Sequence, residues 1–267
     1  FREYGFFMNF CYGISRLYGR DYFIFCDRQD TLRFISISDS ATRLLPLQPA
    51  LYPHRDNYIG CWQDSLLVVY GVDSKLLRCF VLDSSFALRP TAQYNLEALI
   101  KKEMVNYGAL STNLAFRYPY VLFQYYKGHG LNYIDDNALL CIDLSGTEAK
   151  KKYLLPYPAH FYTERIYDAS PAFAFLTDST LAACFTSSDE LSVINIVQNS
   201  YTCNTILHSC GFQQFDKSKE TNLAYTSRYS DLNEANRRLV ATDSGFVVCK
   251  QLHRQKKTDS IYMDCFW

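Results

Sequence analysis

Short apolar runs recur along the whole chain, and Asp, Ser, Gly or Asn interrupts them. Runs such as LLVVYG, YVLFQYY, ALLCI and LAACF are too short for helices. They are rich in Val, Ile, Phe, Tyr and Leu, so each predicts a strand. The runs also fall into a repeated unit. DYFIFCDRQDTLRFISISDSATRLLPL starts at Asp21 and DSLLVVYGVDSKLLRCFVLDSSFALRP at Asp64. YPYVLFQYYKGHGLNYIDDNALLCIDLSG starts at Tyr118 and DSTLAACFTSSDELSVINIVQNSYTCNTI at Asp178. Each unit reads as a strand, a polar turn, a second strand, a turn holding Asp or Asn with Ser or Gly, and usually a third strand. A further strand precedes the quoted unit, as NYIGCW does before Asp64 and PAFAFL before Asp178.

Antiparallel repeats of roughly 40 to 60 residues signal a β-propeller. RRLVATDSGFVVCKQL (237–252) supplies a fifth strand–turn–strand, and TDSIYMDCF at Thr258 repeats the opening of earlier units. The expectation is therefore an all-β chain forming one propeller domain over residues 1–267, with six blades. Residues 1–18 are expected to complete the sixth blade.

One segment breaks the pattern. NLEALIKKEMVNYG places Leu96, Leu99, Ile100 and Met104 on one helical face, with Asn95 as N-cap and Gly108 as a stop. This predicts a short interblade helix near 95–107, and SDLNEANRRL (230–239) predicts a second helical turn. Neither marks a domain boundary.

On the residues quoted above, the chain resembles the TolB-like six-bladed β-propellers, in particular envelope lipoproteins of unknown function with that fold. The resemblance covers roughly Asp21 to Phe266. It rests on the D-S-apolar strand openings and on FVLDSS and CIDLSG, which look like outer-strand turns of such blades. It implies the fold and a place in the cell envelope or periplasm, a cytoplasmic location being the alternative. It transfers no catalytic residues.

Composition narrows the function classes. Lys and Arg together number 27, as do Asp and Glu, and the pI is near 7.1. A nucleic-acid partner is not expected without a basic excess, and HRQKK (253–257) reads as a solvated turn. No apolar run reaches the roughly 18 residues of a membrane span. The first residues, FREYGFFMNF, lack the order of a signal peptide. A processed chain is expected, with any leader or lipid anchor on a preceding precursor segment, and a monomer.

The ten cysteines include no C-x-x-C pair, so zinc spacing is absent. Most lie in or beside apolar runs and are expected to pack as small hydrophobes. Cys203 and Cys210 form the one pair spaced for a disulfide worth checking. No cofactor and no metal are expected: His129, Asp135 and Asp136 lack EF-hand spacing, and no H-x-H or H-E-x-x-H occurs. Nor is there a G-x-S-x-G elbow, a P-loop or a Rossmann glycine pattern.

In a four-stranded meander, the loop between the second and third strands emerges at the same end as the connection to the next blade. The long segments 47–57, 91–108, 127–136 and 157–168 all fall at that end. They carry Arg55, Lys127, His129, His160 and Arg165 as donors, and Tyr126, Tyr133 and Tyr157 among their aromatic faces. Aromatic faces with a few converging polar groups suit a protein, peptide or glycan ligand. The expected ligand-binding residues are Arg55, Tyr126, Lys127, His129, Tyr133, His160 and Arg165, with no catalytic residue assigned. The expected function is a non-catalytic binding or scaffold propeller. The alternative is a hydrolase or lyase acting on carbohydrate or peptide at the channel mouth.

Overall fold

A computed structural model describes residues 13–26, 31–46, 58–63, 65–71, 74–100, 114–124, 137–158, 161, 171–185, 188, 190–205, 217–219, 235–242, 245–251 and 263–266. The chain divides into two compact units, Phe1–Lys102 and Glu103–Trp267.

The first unit holds two four-stranded antiparallel sheets. One is β1 (Gly13–Leu17), β2 (Arg20–Cys26), β3 (Thr31–Ser36) and β4 (Thr42–Pro46), paired in chain order. The other is β5 (Tyr58–Gln63), β6 (Leu66–Gly71), β7 (Leu76–Leu82) and β8 (Leu88–Asn95). Period-two alternation decides the facing of β3, where Leu32, Phe34 and Ser36 are buried and their neighbours less so. Tyr22, Ile24, Leu32 and Phe34 of the first sheet pack on Leu67, Val69, Phe80 and Leu82 of the second.

Phe86, in the β7–β8 turn, completes this core. Its ring meets Phe34 edge-on at 5.4 Å and Tyr22 at 5.7 Å, while the Arg43 guanidinium lies 4.4 Å from its centre. The backbone at Phe86 is left-handed, with φ of 62°. For a bulky residue that conformation is unfavourable, and it holds only where neighbours determine it. Asp83 is the nearest determinant: its Oδ1 accepts from the Ser85 and Ala87 amides and the Ser85 hydroxyl, and its Oδ2 from Arg89 Nε.

Those hydrogen bonds, led by the Ser85 hydroxyl and the Ala87 amide and joined by Arg89, hold the Asp83 carboxyl well below the usual carboxylate range. A folded pKa below the unfolded one makes the ionised form stabilising. That stabilisation is complete above the unfolded value, about 4, and is lost as pH falls toward the folded value. Asp83→Asn is expected to lower Tm at neutral pH, with the gap to the parent narrowing below about pH 4. Thermal melts across acid pH check this; a gap that widens on acidification contradicts it.

The second unit holds three antiparallel sheets. The first has the order β12–β11–β10–β9: β9 (Leu114–Arg117), β10 (Tyr120–Gln124), β11 (Asn137–Asp143) and β12 (Lys150–Pro156). The next is β13 (Pro171–Phe175), β14 (Thr180–Phe185), β15 (Glu190–Asn195) and β16 (Ser200–Thr205). The last has three strands, β17 (Ala235–Thr242), β18 (Gly245–Gln251) and β19 (Met263–Phe266). β10, YVLFQ, is buried throughout, as expected for a central strand covered on both faces. Leu122, Leu139, Cys141 and Leu154 pack on Phe173, Leu181, Ala183 and Ile194. The opposite face of β13–β16 buries Ala172, Ala182, Cys184 and Leu191, and β17 adjoins β13 and β14.

The same polar groups repeat at the short turns. Asp39 Oδ1 accepts from the Ala41 amide, Asp143 Oδ1 from Ser145, and Asn195 Oδ1 from Gln198. Local acceptors of this kind replace the ladder bonds that a turning backbone loses. The Asp or Asn turn read from the sequence is thus present in four sheets.

Four expectations change. Residues 91–95, expected in the long helix-bearing connection, are the second half of β8, because pairing with β7 runs on to Asn95. Residues 13–17 were expected in a sixth blade but form the first strand of the first sheet, joined to β2 through Tyr18 and Gly19, both left-handed. That two-residue hairpin turn matches strand twist and is local, so it pairs before any distant strand can. Residues 263–266 form the third strand of the fifth sheet. Within the second expected helical turn, Ala235 to Leu239 are strand, because pairing with β18 overrides a weak local helical preference. The first helix begins as expected: α1 is Glu97–Ile100, and Asn95 Oδ1 accepts from the Glu97 amide. Leu96 and Ile100 are buried, and residues 101–107 lie outside the described set. Five sheets are present among the described residues.

Candidate functional site

Meander order gives each sheet two unlike ends. At one end lie the short turns 18–19, 37–41, 64–65, 83–87, 118–119, 144–149, 176–179, 196–199 and 243–244. At the other lie 27–30, 72–75 and 186–189 together with every long connection: 47–57, 96–113, 125–136, 157–170, 206–234 and 252–262.

Contacts inside each unit show that like ends coincide. In the first unit the Tyr18 hydroxyl, from a short turn, donates to the Leu82 carbonyl beside another. In the second, Arg117 Nε meets Asp178 Oδ1 at 2.7 Å, and Lys152 Nζ donates to the Ile196 carbonyl. Lys152 also lies 5.2 Å from the centre of the Tyr120 ring. At the long-connection end, Phe161 meets Phe185 at 5.1 Å and Tyr157 meets Phe185 at 5.2 Å. The two sheets therefore stand side by side with their long connections on one side.

Arg55 belongs to 47–57, Tyr126, Lys127, His129 and Tyr133 to 125–136, and His160 and Arg165 to 157–170. All seven lie outside the described residues, as do Asp135 and Asp136. Tyr157 is described, and it is buried against Phe161 and Phe185. Its ring covers a strand end and is not a face for a ligand.

Two polar side chains at this end escaped the sequence reading. Gln124, the last residue of β10, is buried where 125–136 begins. Ser188 is buried between β14 and β15, and its hydroxyl accepts from the Glu190 amide at 3.1 Å. The signal for Gln124 was a polar residue closing the apolar run YVLFQ.

The described thiols are poor nucleophiles. Burial pushes Cys79 up to about 11 and Cys141 and Cys184 up to about 12, so all three are protonated at neutral pH. They pack as small hydrophobes, as expected. Cys203 is described by its backbone alone, and Cys210 lies outside the described residues. Among the described residues no three His, Cys, Asp or Glu side chains gather as metal ligands, and no helix is long and apolar enough to cross a membrane.

No family model matches the sequence, and no curated protein matches it. Among solved structures, a member of the DUF4221 family from Bacteroides vulgatus is similar at TM-score 0.66 and 11% identity, over 94% of this chain and 74% of that one. The β-propeller domain of Cps50 (Swd1) from Myceliophteria thermophila follows at TM-score 0.46 and 11% identity, over 96% and 70%. BamB from Moraxella catarrhalis gives TM-score 0.38 and 13% identity, over 92% and 61%. The structural neighbours are β-propellers, and the first of these likenesses, with the repeated four-stranded meanders, shows a propeller fold. The TolB-like subgroup, the lipoprotein type and a count of six blades are finer than that likeness carries.

Proposed function

We propose that this chain is a non-catalytic binding or scaffold propeller that presents the long-connection end of its sheets to a protein, peptide or glycan. The observation that carries this reading is the division of connection lengths between the two ends of every sheet. Short turns at one end, several of them capped by a side chain, and long segments at the other are how a rigid scaffold displays binding residues. Arg55, Lys127, His129, His160 and Arg165 supply charged or hydrogen-bonding groups in these segments, and Tyr126 and Tyr133 supply flat faces.

The test replaces 125–136 with a short Asn-Gly turn joining β10 to β11. Glycan arrays and peptide libraries are then probed with parent and variant. Binding by the parent that the variant loses, with little change in Tm, is the expected result. A ligand that the shortened chain binds equally well contradicts the reading, as does the absence of any glycan, peptide or protein ligand for the parent.

A further inference from the structure

We propose that Cys249 and Cys265 form a cross-strand disulfide under oxidising conditions and so fasten β19 to β18. The two strands run antiparallel. Their register sets Val248 opposite Phe266, Cys249 opposite Cys265, Lys250 opposite Asp264 and Gln251 opposite Met263. Residues directly opposite in such a ladder share a face, with Cα atoms about 4.5 or 5.5 Å apart according to the hydrogen-bonding position. Both spacings lie inside the roughly 4.4–6.8 Å that a disulfide spans. The ladder thus places the pair at bridging distance with the strands as they stand.

No other cysteine on a described strand has this placement. Cys26 stands opposite Leu32, Cys141 opposite Leu122 and Lys152, Cys184 opposite Ala172 and Leu191, and Cys203 opposite Ser192. Cys61 and Cys79 both stand opposite Val68, from either side of β6. That leaves them two strand spacings, roughly 9.6 Å, apart and beyond a disulfide's reach. Spacing along the chain hides the Cys249–Cys265 pair, because the connection 252–262 separates two cysteines that the ladder makes neighbours.

The position of β19 says what the bridge does. This strand has four residues and pairs, among the described residues, with β18 alone. So short a strand opens readily when hydrogen bonds alone hold it. A bond from Cys265 to Cys249 closes the ring 249–265 and removes the separated states from its open ensemble.

The chemistry is thiol–disulfide exchange with a small disulfide such as oxidised glutathione. One cysteine thiolate attacks that disulfide, forms a mixed disulfide and releases one glutathione thiol. The second thiolate attacks the protein sulfur of the mixed disulfide and expels the other. Two cysteine thiols are oxidised to one S–S bond, the small disulfide is reduced to two thiols, and the two cysteine protons end on those thiols. An excess of reduced glutathione reverses both steps.

The test equilibrates the full chain with oxidised or reduced glutathione and then blocks free thiols at low pH. Trypsin leaves Cys249 in peptide 239–250 and Cys265 in peptide 258–267, so a bridge reads directly as one joined peptide. The joined peptide is expected from the oxidised chain and not from the reduced one. Hydrogen exchange of the 263–266 amides is expected to slow about tenfold or more on oxidation. In Cys265→Ser, oxidation is expected to leave that exchange unchanged. The proposal is overturned if both thiols are blocked after oxidation, or if either is joined to glutathione or to a different cysteine. It is also overturned if the bridge forms without slowing exchange, or if Cys265→Ser slows equally.

Discussion

Replacing Phe34 with alanine is expected to cost about 3–5 kcal/mol of stability, the range for removing a fully buried aromatic ring. Phe34 has no exposed surface and sits where both sheets of the first unit meet. Its ring is edge-on to Tyr22 at 6.5 Å and 86°, and to Phe86 at 5.4 Å and 90°. The substitution removes apolar burial and leaves a cavity that strands paired on both sides cannot close. It also removes two aromatic contacts and the partner that helps hold Phe86 in its left-handed turn. A fall in Tm of roughly 5–15 °C is expected by calorimetry. Phe34→Leu, which keeps most of the volume, should lose clearly less. A Phe34→Ala chain melting with the parent would show that the sheets do not meet as described.

Phe161→Ala asks a different question, because the residue lies inside a long connection. A solvent loop tolerates such a change within about 0.5 kcal/mol. Phe161 is 2% exposed, however, and packs against Phe185 at the end of β14 and against Tyr157 at 6.4 Å. Its amide donates to the Pro158 carbonyl at 3.0 Å, which turns the chain back over the strand end. A loss of about 3–5 kcal/mol is therefore expected, as for a core phenylalanine. Hydrogen exchange should show faster opening at the end of β14. Neutral behaviour would return Phe161 to the surface and contradict its packing over the end of β14.

Strands and turns were legible because their signals are local. Asp83 serves amides two and four residues on, and Asn195 serves one three residues on. Asn95 likewise caps a helix whose first turn follows it directly. The hairpin of β1 and β2 also carries a local signal, Gly19 at its turn, and that signal outweighs the ring-closing role expected of residues 1–18. Ala235 to Leu239 show the reverse error: Asn, Arg and Leu tolerate a helical turn, and only β18 alongside makes them a strand. Tyr157 was indistinguishable in sequence from the other tyrosines at the long-connection end, because an aromatic residue suits a ligand or a strand end equally.

The meander of β2–β4, β5–β8, β9–β12 and β13–β16, the capped turns and the burial of three cysteines followed from residue pattern alone. Each depends on alternation or on groups within a few positions of one another. Which sheets pack on one another within each unit, and which aromatic rings are covered, was settled by contacts distant in the chain. Tyr18 reaches Leu82, 64 positions on, and Arg117 reaches Asp178, 61 positions on. Closing such distances costs chain entropy that only packed sheets repay, so their partners emerge with the tertiary structure.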